Sequence, residues 1–172
     1  MEYLAELYKS VPNLVYEGLI SIFCIGSVFF IAMLGWNRGW RKVVCLILVE
    51  YIILIYSTTV VFRNQRDTWG HEFRPFMSYV AINAGDGQYL KETIMNVIVF
   101  VPVGILLGLA FRSMTLWKVL LIGVAISSSI EAMQFFFKRG FAETDDVMHN
   151  TLGCMLGYGF CRLLMLALRY AK

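Results

Sequence analysis

Glu131, Gln134, Lys138 and Arg139 stand just ahead of Asp145, Asp146, His149 and Asn150 in the stretch SSSIEAMQFFFKRGFAETDDVMHNTLGCMLGYGF, residues 127–160. Acids, amides and bases meet here at the junction of two apolar stretches, each long enough to cross a membrane. A central Asp or Lys in lipid costs about 2.5–3.5 kcal/mol on the insertion scale. Glu131, inside such a stretch, therefore needs a reason, and function is the default one. Glu131 and Asp146 could act as an acid/base pair, with Asn96, Gln134 and Asn150 orienting a substrate. Lys138 and Arg139 suit contact with anionic groups. By ligand type, Glu131, Asp145, Asp146 and His149 also suit a hard divalent ion. Their spacing matches no established metal signature, so neither a metal nor another cofactor is expected.

A plainer reading stands beside each of these. Thr144, Asp145 and Asp146 could simply cap a helix, where carboxylates suit the positive dipole end. Glu131 with Arg139 or Lys138 could be a structural ion pair. His149 alone reads as an interfacial histidine sooner than as a ligand.

Helical spacing groups the residues further. Glu131, Gln134 and Lys138 fall at i, i+3 and i+7, with Ser127 one turn deeper on the same stripe. Asp146, Asn150 and Gly153 share a second stripe, which turns Asn150 toward a neighbouring helix and away from lipid. Gly153 with Gly157, and Gly104 with Gly108, are small-xxx-small pairs that permit close helix approach. Pro102 frees a backbone carbonyl in the segment that carries Gly104 and marks a kink point.

The elements that must position these residues are membrane spans. Of 172 residues, 59% are hydrophobic and 16% charged, against roughly 25% charged in a soluble domain. That is too little polar surface to coat a water-soluble globule. The fold class expected is all-α: a polytopic membrane helix bundle forming one integral membrane domain over 1–172. A helical span takes about 20 apolar residues, and five segments qualify: 18–36, 43–62, 93–111, 119–137 and 147–168. Glu50 lies within the second without an obvious partner; Tyr51 and Tyr56 are the nearest candidates. Arg162 sits far enough along the fifth to snorkel to a surface. Residues 63–92 form the one long loop, too short and polar to span, and suited to a surface lid or a re-entrant turn. Cys24, Cys45, Cys154 and Cys161 fall in apolar segments and lack the spacing of a zinc site or disulfide framework. The net charge of +3, without a basic stripe, gives no nucleic-acid signature. The acidic, amphipathic start MEYLAELYK is not the basic opening of a cleaved signal peptide.

Three short segments carry basic residues and no acid: Arg38, Arg41 and Lys42; Arg112 and Lys118; Arg169 and Lys172. The positive-inside rule makes these cytoplasmic, which puts the N-terminus out, the C-terminus in and the long loop outside. Whichever side is out, the up-down path makes span three begin, span four end and span five begin at one face. Asn96, Glu131, Gln134, Arg139, Asp145, Asp146, His149 and Asn150 should then converge there as one polar cluster.

At these residues the chain resembles the VanZ-like family of bacterial membrane proteins. NVIVFVPVGILLGL, residues 96–109, is similar to the family block N-x-x-x-F-x-P-x-G-x-L-L. SSIEAMQFFFKRGFAETDDVMHNTLGCMLGY is similar to its S-x-x-I-E-x-x-Q block, followed by R-G, D-D and N-T-x-G-x-x-x-G-Y. RPF, residues 74–76, resembles a weaker upstream element. The most specific region is 74–158, and Asn96, Pro102, Gly104, Glu131, Gln134, Arg139, Asp146, Asn150 and Gly153 fall on its recurring positions. The resemblance implies a multi-pass protein of the bacterial cytoplasmic membrane and an association with teicoplanin resistance, but supplies no reaction.

Three functions remain open at this point. The first is a protein that binds an amphipathic lipid or lipidated glycopeptide at the outer face and contributes to teicoplanin-type resistance or envelope homeostasis. The second is an intramembrane enzyme acting on a lipid-linked cell-wall precursor through Glu131 and Asp146. The third is a lipid transporter or scramblase, for which an intramembrane Glu is common; the chain shows no internal repeat. Membrane lipids are the partners expected, with no nucleic acid.

Overall fold

The computed structural model describes residues 39–170. Four of its helices are long and apolar enough to cross a membrane. Helix α1, Trp40–Tyr56, runs on as a π-helical turn, Ser57–Val61. A short strand β1, Gly70–Glu72, and a short helix α2, Met77–Asn83, follow. Then come α3, Gly87–Ala110, and α4, Leu116–Phe137. Strand β2, Phe141–Glu143, leads directly into α5, Thr144–Tyr170. These four long helices contain the second to fifth spans read from the sequence; the first, 18–36, lies outside the described residues. Multi-pass membrane insertion is the class of protein this architecture makes.

The helix starts follow local chemistry. Asp86 caps α3 by accepting from the amides of Gln88 at 2.9 Å and Tyr89 at 3.4 Å. Thr115 caps α4 through the Lys118 amide. Helix α3 passes unbroken through Pro102, whose missing N–H leaves the Ile98 carbonyl without its helical donor. One residue on, the Val99 carbonyl takes the Tyr51 hydroxyl at 2.9 Å.

Helix α5 is central. It packs most extensively on α3, then on α4, while α1 packs on α3. The core between them is Phe100, Val103, Leu107, Ile130, Cys154 and Tyr158, with Leu48 and Ile55 from α1. The outer faces stay apolar and exposed at Leu121, Phe136, Leu163 and Leu164, as lipid contact requires. The α3–α5 approach is closest at the glycine pairs. A Cβ on Gly104 would strike the Cys154 carbonyl, one on Gly153 the Val97 carbonyl, and one on Gly157 the Val101 carbonyl. Gly104, Gly153 and Gly157 thus lie on the other helix's backbone, while Gly108 packs on the Cys161 and Tyr158 side chains.

The long loop differs from a simple lid. Strand β1 pairs in parallel with β2 in the register Gly70↔Phe141, His71↔Ala142 and Glu72↔Glu143. The Arg66 amide donates to the Lys138 carbonyl at 2.8 Å. Helix α3 also starts at Gly87, six residues ahead of the apolar segment, because Asp86 offers a cap there. The loop is therefore bound to the α4–α5 turn by backbone hydrogen bonds, and a small sheet sits in an otherwise helical protein.

Candidate functional site

The chain reverses tightly between α4 and α5. Lys138 takes a left-handed conformation, φ +53°. Its amide donates to the Phe135 carbonyl at 3.2 Å and that of Arg139 to the Gln134 carbonyl at 2.9 Å, the paired bonds of a Schellman stop. Gly140 follows at φ +144°; a side chain there would also press on Arg63 Nη1 at 2.7 Å and Gln134 Oε1 at 3.1 Å. This reversal places β2 across the end of α4. Glu131, 8% exposed, there accepts the Glu143 amide on Oε2 at 3.0 Å.

The sequence places eight polar residues at one face, and the structure sorts them into separate tasks. Asn96 and Asp146 meet: Asn96 Nδ2 donates to Asp146 Oδ1 at 2.6 Å. Asp145, only 2% exposed, turns the other way. Its Oδ1 accepts the Phe76 amide at 2.6 Å and its Oδ2 the Ser78 amide at 2.7 Å. It thus satisfies amides at the start of α2, a cap, but for a helix other than its own. His149 also faces α2, with Nε2 at 3.0 Å from the Tyr79 hydroxyl. Asn150 reaches across to α4 and donates to Ser127 Oγ at 2.8 Å; Ser127 is fully buried. The bond joins the two stripes deep in the bundle.

Gln134 and Arg139 belong to a third task. Gln134 Nε2 donates to the Thr59 carbonyl at 3.2 Å, and Arg139 Nη1 donates to the Val61 carbonyl. Helix ends leave carbonyls without amide partners, and these two side chains fill that need at the π turn. An ion pair of Glu131 with Lys138 or Arg139 does not form. Lys138 instead lies 3.8 Å from the centre of the Trp69 ring and donates to the Asp67 carbonyl at 3.5 Å. Backbone acceptors at the ends of α1 and in the loop compete successfully for both cations. Tyr51 and Tyr56 do not partner Glu50: they bond Val99 and, on α4, Ser129 and Ile126. Among the described residues no group of His, Cys, Asp and Glu is arranged to hold a metal. Asp145 and His149 point to α2 while Asp146 and Glu131 do not, so the four do not share one centre.

What remains is a junction of two cavities. On one side lie two adjoining polar chambers of about 520 and 550 Å³, which share Arg63, Gln88, Glu92 and Asp146. On the other lies a largely apolar groove of about 440 Å³, walled by Phe73, Phe135, Phe136 and Val147, with Glu131 at its edge. Glu143 lines both the groove and the first polar chamber. Burial, then the negative charges of Asp146, Glu92, Asp145 and Glu72, push its carboxyl up to about 7. Arg63, Glu92 and Glu143 are the site residues that motif reading misses. Arg63 offers one signal, since it is the first charge after the second span, at the same face. Glu143 offers another, two residues ahead of Asp145.

The VanZ/LLP1 family model matches residues 22–165, which takes in every element of this site. The chain belongs to the VanZ/LLP1 family. It is also similar to Protein VanZ of Enterococcus faecium, with 36% identity over 67 residues. That alignment covers 39% of this chain and 42% of the relative, so the chain matches less than half of that protein's length. No solved structure matches the chain. Family membership therefore fixes what kind of membrane protein this is, while its chemistry rests on the site.

Proposed function

We propose that the protein binds an amphipathic lipid or a lipidated glycopeptide at the outer face of the bacterial cytoplasmic membrane, and thereby contributes to teicoplanin-type resistance or envelope homeostasis. The observation that carries this reading is the position of Glu143, which borders a polar cleft and an apolar groove at once. A polar head group fits the cleft and an acyl chain the groove, while Asn96 holds the Asp146 carboxylate and Glu131 accepts the Glu143 backbone amide. In this reading the N-terminus is outside and the C-terminus inside, which sets the cleft where such molecules arrive.

The test is susceptibility of a Gram-positive host expressing the wild type, Glu143→Gln or Asp146→Asn at equal membrane levels. Protection against teicoplanin but not vancomycin, lost in both variants, is the expected outcome. Wild type without any protective effect removes the resistance part of the reading.

A second reading is an intramembrane enzyme acting on a lipid-linked cell-wall precursor through Glu131 and Asp146. Glu143 supports this reading: its amide bonds Glu131, and its side chain lines one chamber with Asp146. Turnover of such a precursor by purified protein, abolished in Glu131→Gln, would support it; turnover indifferent to that change sinks it.

A further inference from the structure

We propose that the polar cleft selects a head group carrying both a phosphate and a primary ammonium, with the chains of the same lipid lying in the groove beyond Glu143. This deepens the lipid-binding reading above and rests on it.

The cleft holds charges of both signs that do not pair with each other. Arg63 and Arg66 come from the segment after α1, Glu92 from α3, and Glu143 and Asp146 from the β2–α5 junction. Yet among the described residues the one ion pair is Arg74 with Glu72, outside this cleft. The arginines are therefore held beyond contact distance of the acids they share a cavity with. Arg66 is instead placed over the Phe141 ring, 5.7 Å from its centre. Asp146 is fixed by Asn96 through Oδ1, which leaves Oδ2 without a donor among the described residues. Such a layout suits neither a simple anion nor a simple cation. An anion at the arginines would have the acids for neighbours, and a cation at the acids would have the arginines.

A ligand with both charges meets both walls. The guanidinium fork matches phosphate oxygens, and an ammonium supplies up to three donors to carboxylates. Only a primary amine does this; a quaternary ammonium has no N–H to give. The apolar groove on the far side of Glu143 then decides between a free head group and a lipid. It is walled by Phe73, Phe135 and Phe136 and lies at the lipid-facing end of α4. An aminophosphate lipid such as phosphatidylethanolamine has this combination of parts.

The test uses purified protein in neutral-detergent micelles and a phosphatidylethanolamine labelled on its acyl chain. Unlabelled phosphatidylethanolamine, phosphatidylglycerol, phosphatidylcholine and soluble glycerophosphoethanolamine compete for the probe. Phosphatidylethanolamine should displace it about tenfold better than either other lipid, the worth of one charge-assisted hydrogen bond. Glycerophosphoethanolamine should compete far more weakly. Glu143→Gln should bring phosphatidylethanolamine down to the level of the other lipids, and Arg63→Gln, which removes a contact to the phosphate common to all three, should weaken all three alike, each variant remaining folded and monodisperse. Should Arg63→Gln fail to fold, Arg66→Gln carries the same test. Equal competition by the three lipids, a preference that survives Glu143→Gln, or binding of all three untouched by Arg63→Gln overturns the head-group assignment and leaves lipid binding standing. Competition by glycerophosphoethanolamine as strong as by the lipid overturns the groove's part. No binding of the probe overturns this inference, while the glycopeptide form of the reading above stands or falls by the susceptibility test.

Discussion

The α3–α5 interface and the polar face of the bundle adjoin on α3 and α5 but are held together by different physics. At the interface, backbone lies on backbone. Gly104, Gly153 and Gly157 leave no room for a single methyl group against Cys154, Val97 and Val101. At the polar face, side chains reach backbone groups across 67 to 78 residues of sequence, as with Asp145 to Ser78 and Arg139 to Val61. The first arrangement is stiff and specified by residue size. The second is assembled from many directed bonds, each of which can open without parting the helices. The glycines thus build the frame, and the acids and amides divide between bracing the backbone and lining the cavities.

The largest effect should come from breaking the frame. Gly157→Leu forces a side chain into the Val101 backbone and should cost about 3 kcal/mol or more. Loss of the folded fraction in size-exclusion chromatography from mild detergent is the expected result. A folded, monodisperse variant would show that the helices can part here and would undo the contrast.

Next is Asp145→Ala, which leaves the Phe76 and Ser78 amides without their carboxylate. About 2 kcal/mol should be lost, the range for a hydrogen bond to a charged group. Hydrogen exchange should rise at 76–83 and stay slow in 97–108. Equal acceleration in both regions would mean that the polar face and the frame open as one unit.

A smaller, pH-dependent effect concerns Glu143. Its carboxyl is pushed up to about 7 from the ordinary 4.5. The folded protein therefore holds a proton that the unfolded chain has released between those values. Stability should fall as pH rises through that window and level off above it. The groups facing Glu143 are Glu131 on α4, Glu92 and Tyr89 on α3, Asp145 and Asp146 on α5, and Glu72 on β1. Glu143→Gln should flatten the slope of thermal midpoint against pH between about 4.5 and 7. An unchanged slope assigns the titration to its neighbours.

The smallest effect is expected at Arg74. It bonds Glu72 in the open, with its side chain 74% exposed. Exposed pairs contribute little, and Arg74→Gln should leave both the midpoint and the exchange pattern of 76–83 unchanged. A destabilised α2 would show that the loop leans on this pair and not on Asp145.

Much of the frame was legible because it depends on amount and period. Four apolar stretches of sufficient length became α1, α3, α4 and α5, and glycines four apart marked the faces that touch. Asn150, in line with Gly153, does meet α4, as its stripe requires. The site was less legible because its pairings are not periodic. Gln134 and Arg139 share a segment with Glu131, yet they are drawn to carbonyls of the π turn. Asp145 and Asp146 are adjacent and look alike in sequence, but successive helix positions point about 100° apart, so one braces α2 and the other opens to the cleft. Glu143, which carries no motif, became the residue common to both cavities only when β1 and β2 paired.

Sequence alone determined that this is a multi-pass helical membrane protein of the VanZ/LLP1 kind, with polar residues gathered at one end of its bundle. The span number and the polar end follow from local composition, spacing and the alternation of spans, and the family from the likeness of two motif blocks; none of these needs long-range geometry. The tertiary structure alone decided which polar residues face a cavity and which are spent on backbone. That choice depends on where unpaired carbonyls and amides of distant segments come to rest, and only the packed chain brings them within hydrogen-bonding distance.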